Sequence, residues 1–232
     1  MSTPTPTPGL MFATSRPIPP TTEAQLNSFY QNEHLPDVLS YGAVKMTKRY
    51  KSSNPDSKFP YLALYPVDDV DYFKSKDFEK VVEETKLSRT FGNKSFYDFL
   101  EFEIGSWTKI QTYESPSTKP DSTSHAKTLI ALTMQPDPSP DNNPDSWYGK
   151  QYLDTMAQLP SYRRTTRYKR VVAGDGEGDG EGKPSSFLVL HEYDCKADEL
   201  PDPREEYVRR CEFWEREVWE LVEVQGDGGR QL

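Results

Sequence analysis

Residues 29–39 read FYQNEHLPDVL and residues 147–157 read WYGKQYLDTMA, and the second stretch repeats the first at an offset of 118. Phe29 meets Trp147, Tyr30 meets Tyr148 and Leu35 meets Leu153. The offset carries into the next segment, where Lys48-Arg49-Tyr50-Lys51 falls on Thr166-Arg167-Tyr168-Lys169. It becomes 126 where Tyr61-Leu62-Ala63-Leu64 meets Phe187-Leu188-Val189-Leu190, and the extra residues are GDGEGDGE, 174–181. Glycine and acid alone have nothing to bury, so that stretch reads as a solvated loop. Self-similarity at a fixed offset means two copies of one supersecondary unit.

The order of elements repeats with the residues. Residues 10–16 form a short apolar run closed by Pro17 and Pro19, which predicts a strand. Thr22 and Gln25 have capping-box spacing, and Leu26, Phe29, Tyr30 and Glu33 follow at helical spacing toward Leu39. Pro36 removes a helix hydrogen bond and forces a kink or break near Asn32 and Glu33. Strands at 43–50 and 60–66, a helix at 70–86 and a strand at 102–114 complete the first copy. The second copy predicts strands at 128–134, 163–172 and 187–194, with helices at 144–159 and 204–221. In the last helix Tyr207, Cys211, Trp214, Val218 and Leu221 recur at spacings of three and four, which leaves the closing strand short or absent.

The expected fold class is therefore α+β: two ferredoxin-like β-α-β-β-α-β repeats. Their antiparallel sheets carry helices on one face, and the two sheets form an α+β barrel. The organisation reads as a disordered tail at 1–9, repeat 1 at 10–115 and a linker at 116–125. Repeat 2 follows at 126–224, with its acidic loop at 174–183, and a tail closes the chain at 225–232.

Composition narrows the function. The 232 residues carry a formal charge of −9, with 28 Lys and Arg against 37 Asp and Glu, so a phosphate-binding surface is disfavoured. The basic run YRRTTRYKR, 162–170, divides its cations over both faces of a strand and does not restore one. No window approaches a membrane span, and MSTPTPTP lacks the basic and apolar regions of a signal peptide. Cys195 and Cys211 make no disulfide framework, which points to a reduced, cytoplasmic protein with no nucleic-acid or membrane partner. Neither a phosphate-binding glycine loop nor a G-x-S-x-G elbow occurs, and the histidines have no metal spacing, so no metal or cofactor is expected. A haem would need an axial ligand, for which His191 is the candidate.

The doubled order of elements, with Tyr30, Glu33 and His34 on a helix and Arg49-Tyr50 ending the next strand, resembles the dimeric α+β barrel superfamily, in particular its EthD-like branch, as a fused tandem repeat. The resemblance covers roughly residues 10–115 and 126–222. Similar proteins include cofactor-independent monooxygenases, decarboxylases and cyclases of aromatic polyketides, muconolactone-isomerase-like enzymes, haem-dependent peroxidases and members with no known chemistry. Since such barrels usually form from two chains, the resemblance implies a monomeric pseudo-dimer or a homodimer.

His34 leads the site candidates because it matches the family's helix histidine. Asp37, one turn on, is placed to orient the imidazole, although a packed or surface histidine fits the same pattern. At the repeat-equivalent positions stand Tyr152 and Thr155, so the second copy lacks this cluster. Arg49 and its equivalent Arg167 suit a carboxylate or enolate oxygen if directed inward. Tyr61, Tyr65, Phe187 and His191 share one strand face, expected to point into the barrel, while Leu62, Leu64, Leu188 and Leu190 face the helices. With Tyr30, Trp107 and Tyr152 these make the expected substrate-binding lining, or simply the filling of a wide interior. The expected function is a cofactor-independent enzyme of secondary metabolism acting on a flat, hydrophobic, oxygenated, aromatic polyketide-like small molecule. It would work by proton transfer at His34, as a decarboxylase, cyclase or isomerase. The alternatives are a cofactor-independent monooxygenase of the same fold and a non-catalytic small-molecule-binding or structural barrel.

Overall fold

The computed structural model describes residues 5–114, 125–136, 150–159, 161–171, 186–200 and 211–226, with 136, 150–152 and 211–214 described for their backbone only. The acidic loop, most of the expected linker, residues 144–149 and 201–210 of the expected helices and residues 227–232 lie outside the described residues.

Strand β1 is Gly9–Pro17, and α1, Glu23–Phe29, starts with the expected capping box: Gln25 N–H donates to Thr22 Oγ1 and Thr22 N–H to Gln25 Oε1. The break demanded by Pro36 takes the form of a π-helical turn, Tyr30–His34, followed by α2, Leu35–Ser40. In it the Leu35 N–H reaches back five residues to the Tyr30 carbonyl. The extra residue lets Pro36 enter at the first turn of α2, where its missing N–H costs nothing. Strands β2, Met46–Ser52, and β3, Tyr61–Val67, follow as a hairpin.

The helix expected at 70–86 divides at Ser75, which is extended and caps a new helix. A 3-10 turn, Val70–Lys74, precedes it and α3, Lys76–Thr85, follows. A two-rung ribbon then forms from β4, Leu87–Ser88, and β5, Lys94–Ser95, ahead of the long β6, Leu100–Glu114. Beyond it come β7, Thr128–Pro136, a short helix, Lys150–Met156, β8, Tyr162–Arg170, and β9, Phe187–Tyr193.

The helix expected at 204–221 is overturned. Cys211–Gly226 is β10, a 16-residue strand paired antiparallel with β7, and it supplies the closing strand that was expected to be short or absent. Apolar spacings of three and four suit one helix face, but a bulged strand accommodates them too. The β-branched and aromatic residues Trp214, Val218, Trp219, Val222 and Val224 favour the strand.

The long strands form one closed barrel in the hydrogen-bonded order β1-β3-β2-β10-β7-β9-β8-β6. The chain divides into two compact units, residues 1–108 with 222–232 and residues 109–221. In unit 1, Leu26, Phe29, Tyr30, Leu35 and Val38 of the helical segment pack on Ala13, Tyr61, Ala63, Tyr65 and Val67 of the sheet. In unit 2, Leu153 and Met156 pack on Ile130, Leu132, Met134, Val189 and Tyr193, with Phe187 at the edge.

This reverses the expected strand faces. The aromatic and polar face is the one against the helices, and Leu62, Leu64, Leu188 and Leu190 lie on the opposite, equally buried face. Strands buried on both sides read as continuous apolar runs, so alternation carries no direction.

Candidate functional site

The helix-facing layer of unit 1 gathers most of the expected site residues. His34, at the end of the π-helical turn, shares a hydrogen bond of 3.1 Å between Nε2 and Tyr65 Oη on β3. Its ring stacks on Phe29 at 5.2 Å and meets Tyr30 and Phe96 edge-on, both at 5.5 Å. Burial first, and the charge of Arg49 second, bring the imidazole down to about 4, so it is neutral at physiological pH. Burial also lifts the Tyr65 phenol well above its ordinary value. Nδ1 of His34 is buried and has no hydrogen-bond partner. A neutral imidazole offers one donor and one acceptor, so with Nε2 on Tyr65 the second function is left open at Nδ1.

Asp37 does not orient this histidine. It is exposed, while Leu35 and Val38 of the same turn are buried. One residue inserted by the π turn shifts the buried register from 37 to 38, and Asp37 rotates to solvent.

Arg49, opposite Ala63, does face the site layer. Its guanidinium lies 4.3 Å over the Tyr30 ring, and Nη2 donates to Asn27 Oδ1 at 2.9 Å. A looser contact of 3.4 Å runs from Nη1 to Glu223 on β10. It is therefore a held charge beside the site rather than an open hook for a carboxylate. Tyr30 is closed off by Ser15, with hydroxyls 3.4 Å apart. Tyr61 sits on the same face toward its edge, pushed up to about 12 by burial and then by Glu23.

Trp107 is not part of this layer. It pairs with Leu10 on the face shared by Leu64, and Gly105 makes room for its indole, since a Cβ there would lie 2.7 Å from Nε1.

Glu33 emerges as a site residue that the sequence did not single out for a role. Its buried carboxylate accepts from Ser88 Oγ at 2.9 Å, Arg89 N–H at 2.8 Å, Thr90 N–H at 2.7 Å and Thr90 Oγ1. Burial pushes the carboxyl up, but these donors prevail and hold it below the ordinary value. Only its place next to His34 in Glu-His pointed to it, because its partners lie 55–57 residues away.

In unit 2, His191 is fully buried, with Nδ1 2.7 Å from Thr165 Oγ1, which in turn accepts from Tyr162 Oη at 2.8 Å. Burial, then Arg216, lowers this imidazole to about 3. Phe187 is partly buried against the same cluster, and the Tyr152 side chain lies outside the described residues. Arg163, Arg164 and Arg167 of the basic run are buried, bonded to Asp194, to Glu192 and Glu114, and to Gln111 respectively.

A haem axial ligand needs an imidazole nitrogen facing a slot for the macrocycle. His34 gives Nε2 to Tyr65 inside an aromatic enclosure, and His191 is wholly enclosed with Nδ1 on Thr165, so neither fits that role as arranged. Among the described residues there is no metal-ligating cluster, no helix long and apolar enough to cross a membrane, and Cys195 is a free buried thiol.

No family model matches the sequence. The chain is 28% identical over 197 residues to core atranone cluster (CAC) protein 1 of Stachybotrys chlorohalonatus, covering 81% of this chain and 82% of that protein. Among solved structures, an anthrone oxidase-like protein matches with a TM-score of 0.56 at 14% identity, over 97% of this chain and 95% of that one. A provisionally named monooxygenase of Fusobacterium nucleatum matches with a TM-score of 0.59 at 8% identity, over 97% of each. A mutant chlorite dismutase of Candidatus Nitrospira defluvii gives 0.50 at 10%, over 93% and 92%.

These neighbours overturn the expectation of a cofactor-free lyase or isomerase, whether decarboxylase or cyclase, since their names are those of oxidoreductases. The fold is ferredoxin-like α+β closed into a barrel, and it is structurally related to that of chlorite dismutase.

Proposed function

We propose that the protein is an oxygen-consuming oxidoreductase, an oxidase or monooxygenase, acting on a flat, phenolic, anthrone-like molecule in unit 1. The observation that carries the reading is Nδ1 of His34, an unpartnered nitrogen in an aromatic enclosure on a ring that is neutral at physiological pH, and the basic one when Nε2–H donates to Tyr65. The similarity to an anthrone oxidase-like fold and to a protein of the atranone cluster supports the substrate class. His34 takes a proton from the ring CH2 at Nδ1, leaving a carbanion delocalised into the phenol. Dioxygen accepts an electron pair from that carbon, a C–O bond forms and a peroxide results. The peroxide takes that proton back from His34. Its carbon then gives up the second CH2 hydrogen as a proton while the O–O bond breaks, so that the freed C–H electron pair makes the carbonyl and the departing hydroxide picks up that proton and leaves as water.

Arg49 contributes charge rather than contact: it disfavours a resting imidazolium and favours the anion. We also assign the chain to the EthD-like branch as a tandem duplication, on the Tyr30, Glu33, His34 and Arg49-Tyr50 pattern.

The test is oxygen uptake and quinone absorbance with anthrone as probe. His34→Ala is expected to lower turnover by about a hundredfold or more. An unchanged rate removes the base, and tight anthrone binding without oxygen uptake by the wild type favours the non-catalytic barrel.

A further inference from the structure

The segment from Leu87 to Phe96 is built as a hairpin: β4 and β5 pair Leu87 with Ser95 and Ser88 with Lys94, and Gly92 and Asn93 take left-handed conformations at its tip. Phe91 stacks flat on Phe99 at 4.6 Å and meets Phe29 at 5.5 Å, the ring on which His34 lies. Phe96, at the hairpin's exit, touches His34 directly and also contacts Phe29, at 5.1 Å. Two walls of the imidazole's enclosure are thus supplied through one hairpin. The side chain of Glu33 ties that hairpin down through Ser88, Arg89 and Thr90. The π turn is what makes both roles possible, presenting consecutive side chains, Glu33 to the hairpin and His34 to Tyr65.

We propose that Glu33 is a positioning residue for His34, whose carboxylate clamps the 87–96 hairpin across the aromatic enclosure so that the hairpin acts as the removable wall of the site. A substrate for Nδ1 enters when the hairpin lifts and is shut away from water when the clamp re-forms. Carboxylate hydrogen bonds to two backbone N–H groups and two hydroxyls are charge-assisted, so the clamp is specific to the ionised acid. Besides Glu33, the titratable or charged groups around the imidazole are Tyr65 on β3, Tyr30 in the π turn and Arg49 on β2. None of them belongs to the hairpin. The proposal takes its catalytic meaning from the oxidase reading, but its test does not need turnover.

The experiment follows amide exchange across residues 87–96 and the ring titration of His34 by NMR, in the wild type, Glu33→Gln, Phe91→Ala and Thr90→Val. Glu33→Gln is expected to speed exchange at Ser88–Phe91 at least tenfold and to move the His34 titration from about 4 toward its ordinary value, as water enters. Phe91→Ala should move the titration the same way with the clamp intact. Thr90→Val, removing one hydroxyl donor, should give a smaller shift of the same sign and guards against a misfolded Glu33 variant. Unchanged exchange in Glu33→Gln, or an unmoved His34 titration in both Glu33→Gln and Phe91→Ala, overturns the proposal. Failure of the anthrone assay alone would count against the oxidase reading and leave the clamp standing.

Discussion

Unit 1 delivers its imidazole from a helix and unit 2 delivers one from a strand. Through the repeat, the position of His34 is held by Tyr152 and the position of Tyr65 by His191, so histidine and tyrosine have exchanged sides. The second copy lacks a histidine on its helix, but one stands in its helix-facing layer all the same. The difference lies in what each ring is bonded to. His34 shares its Nε2 with a tyrosine hydroxyl inside a cage of aromatic rings, whereas His191 is held to Thr165 in a chain of hydroxyls leading to Tyr162. The equivalent arginines differ as well: Arg49 lies over an aromatic ring beside its histidine, and Arg167 bonds Gln111. Under the oxidase reading, this difference places the chemistry in unit 1 and makes unit 2 the test case for packing alone.

The sharpest way to separate the units is through their opposite sheet faces. Unit 2 buries an Arg164–Glu192 ion pair where the repeat gives unit 1 Met46 and Pro66. Glu192→Leu alone should destabilise the protein by about 3–5 kcal/mol in urea unfolding, by stranding a buried guanidinium. Adding Arg164→Met should recover most of that loss, and a cost that persists in the double variant would mean that the pair is not the cause.

Next comes the contrast in activity: His191→Gln should keep anthrone turnover within about threefold of wild type while His34→Ala loses a hundredfold or more. Comparable losses in both would abolish the division of labour.

Acid supplies a third comparison. Native imidazoles at about 4 and about 3 bind protons less readily than the unfolded chain, whose histidines titrate near 6.5. Their stabilising contribution is complete above that value and is lost as pH falls toward the native ones. Unfolding free energy should drop on the order of a few kcal/mol between pH 7 and 4. His34→Gln and His191→Gln should each flatten the curve between pH 6.5 and 4 to a similar extent, and only His191→Gln should flatten it further below pH 4. The smallest effect is expected at the α1 cap, where Thr22→Ala should cost about 1 kcal/mol in thermal unfolding and leave the unit 2 comparisons untouched.

Much of this fold was legible because local chemistry decided it. The Thr22–Gln25 box starts α1 where its spacing said, Pro36 marks a real break, and the repeated order of elements survives in the strand order. Where local chemistry was ambivalent, the reading went wrong. Apolar spacings in 207–221 fitted a helix and a bulged strand alike, and pairing with β7 decided between them. Strand direction failed because Leu62 and Leu64 are as buried as Tyr61 and Tyr65. At the site, His34 and Arg49 could be picked from the sequence. Asp37 was misplaced because a one-residue π insertion leaves no periodic signature, and the Glu33 clamp depends on partners brought together only by the fold.

The bonds from Arg49 to Glu223 and from Gln225 to the Gln31 carbonyl close unit 1 over separations of 174 and 194 residues. During synthesis at roughly 5–20 residues per second, the segment holding His34 waits on the order of ten seconds or more for the strand that completes its unit. Contacts so distant in sequence also slow spontaneous folding. The half of the protein that holds His34 is thus made first and finished last, so its aromatic layer is the surface most exposed to misassociation and to chaperones in the newborn chain.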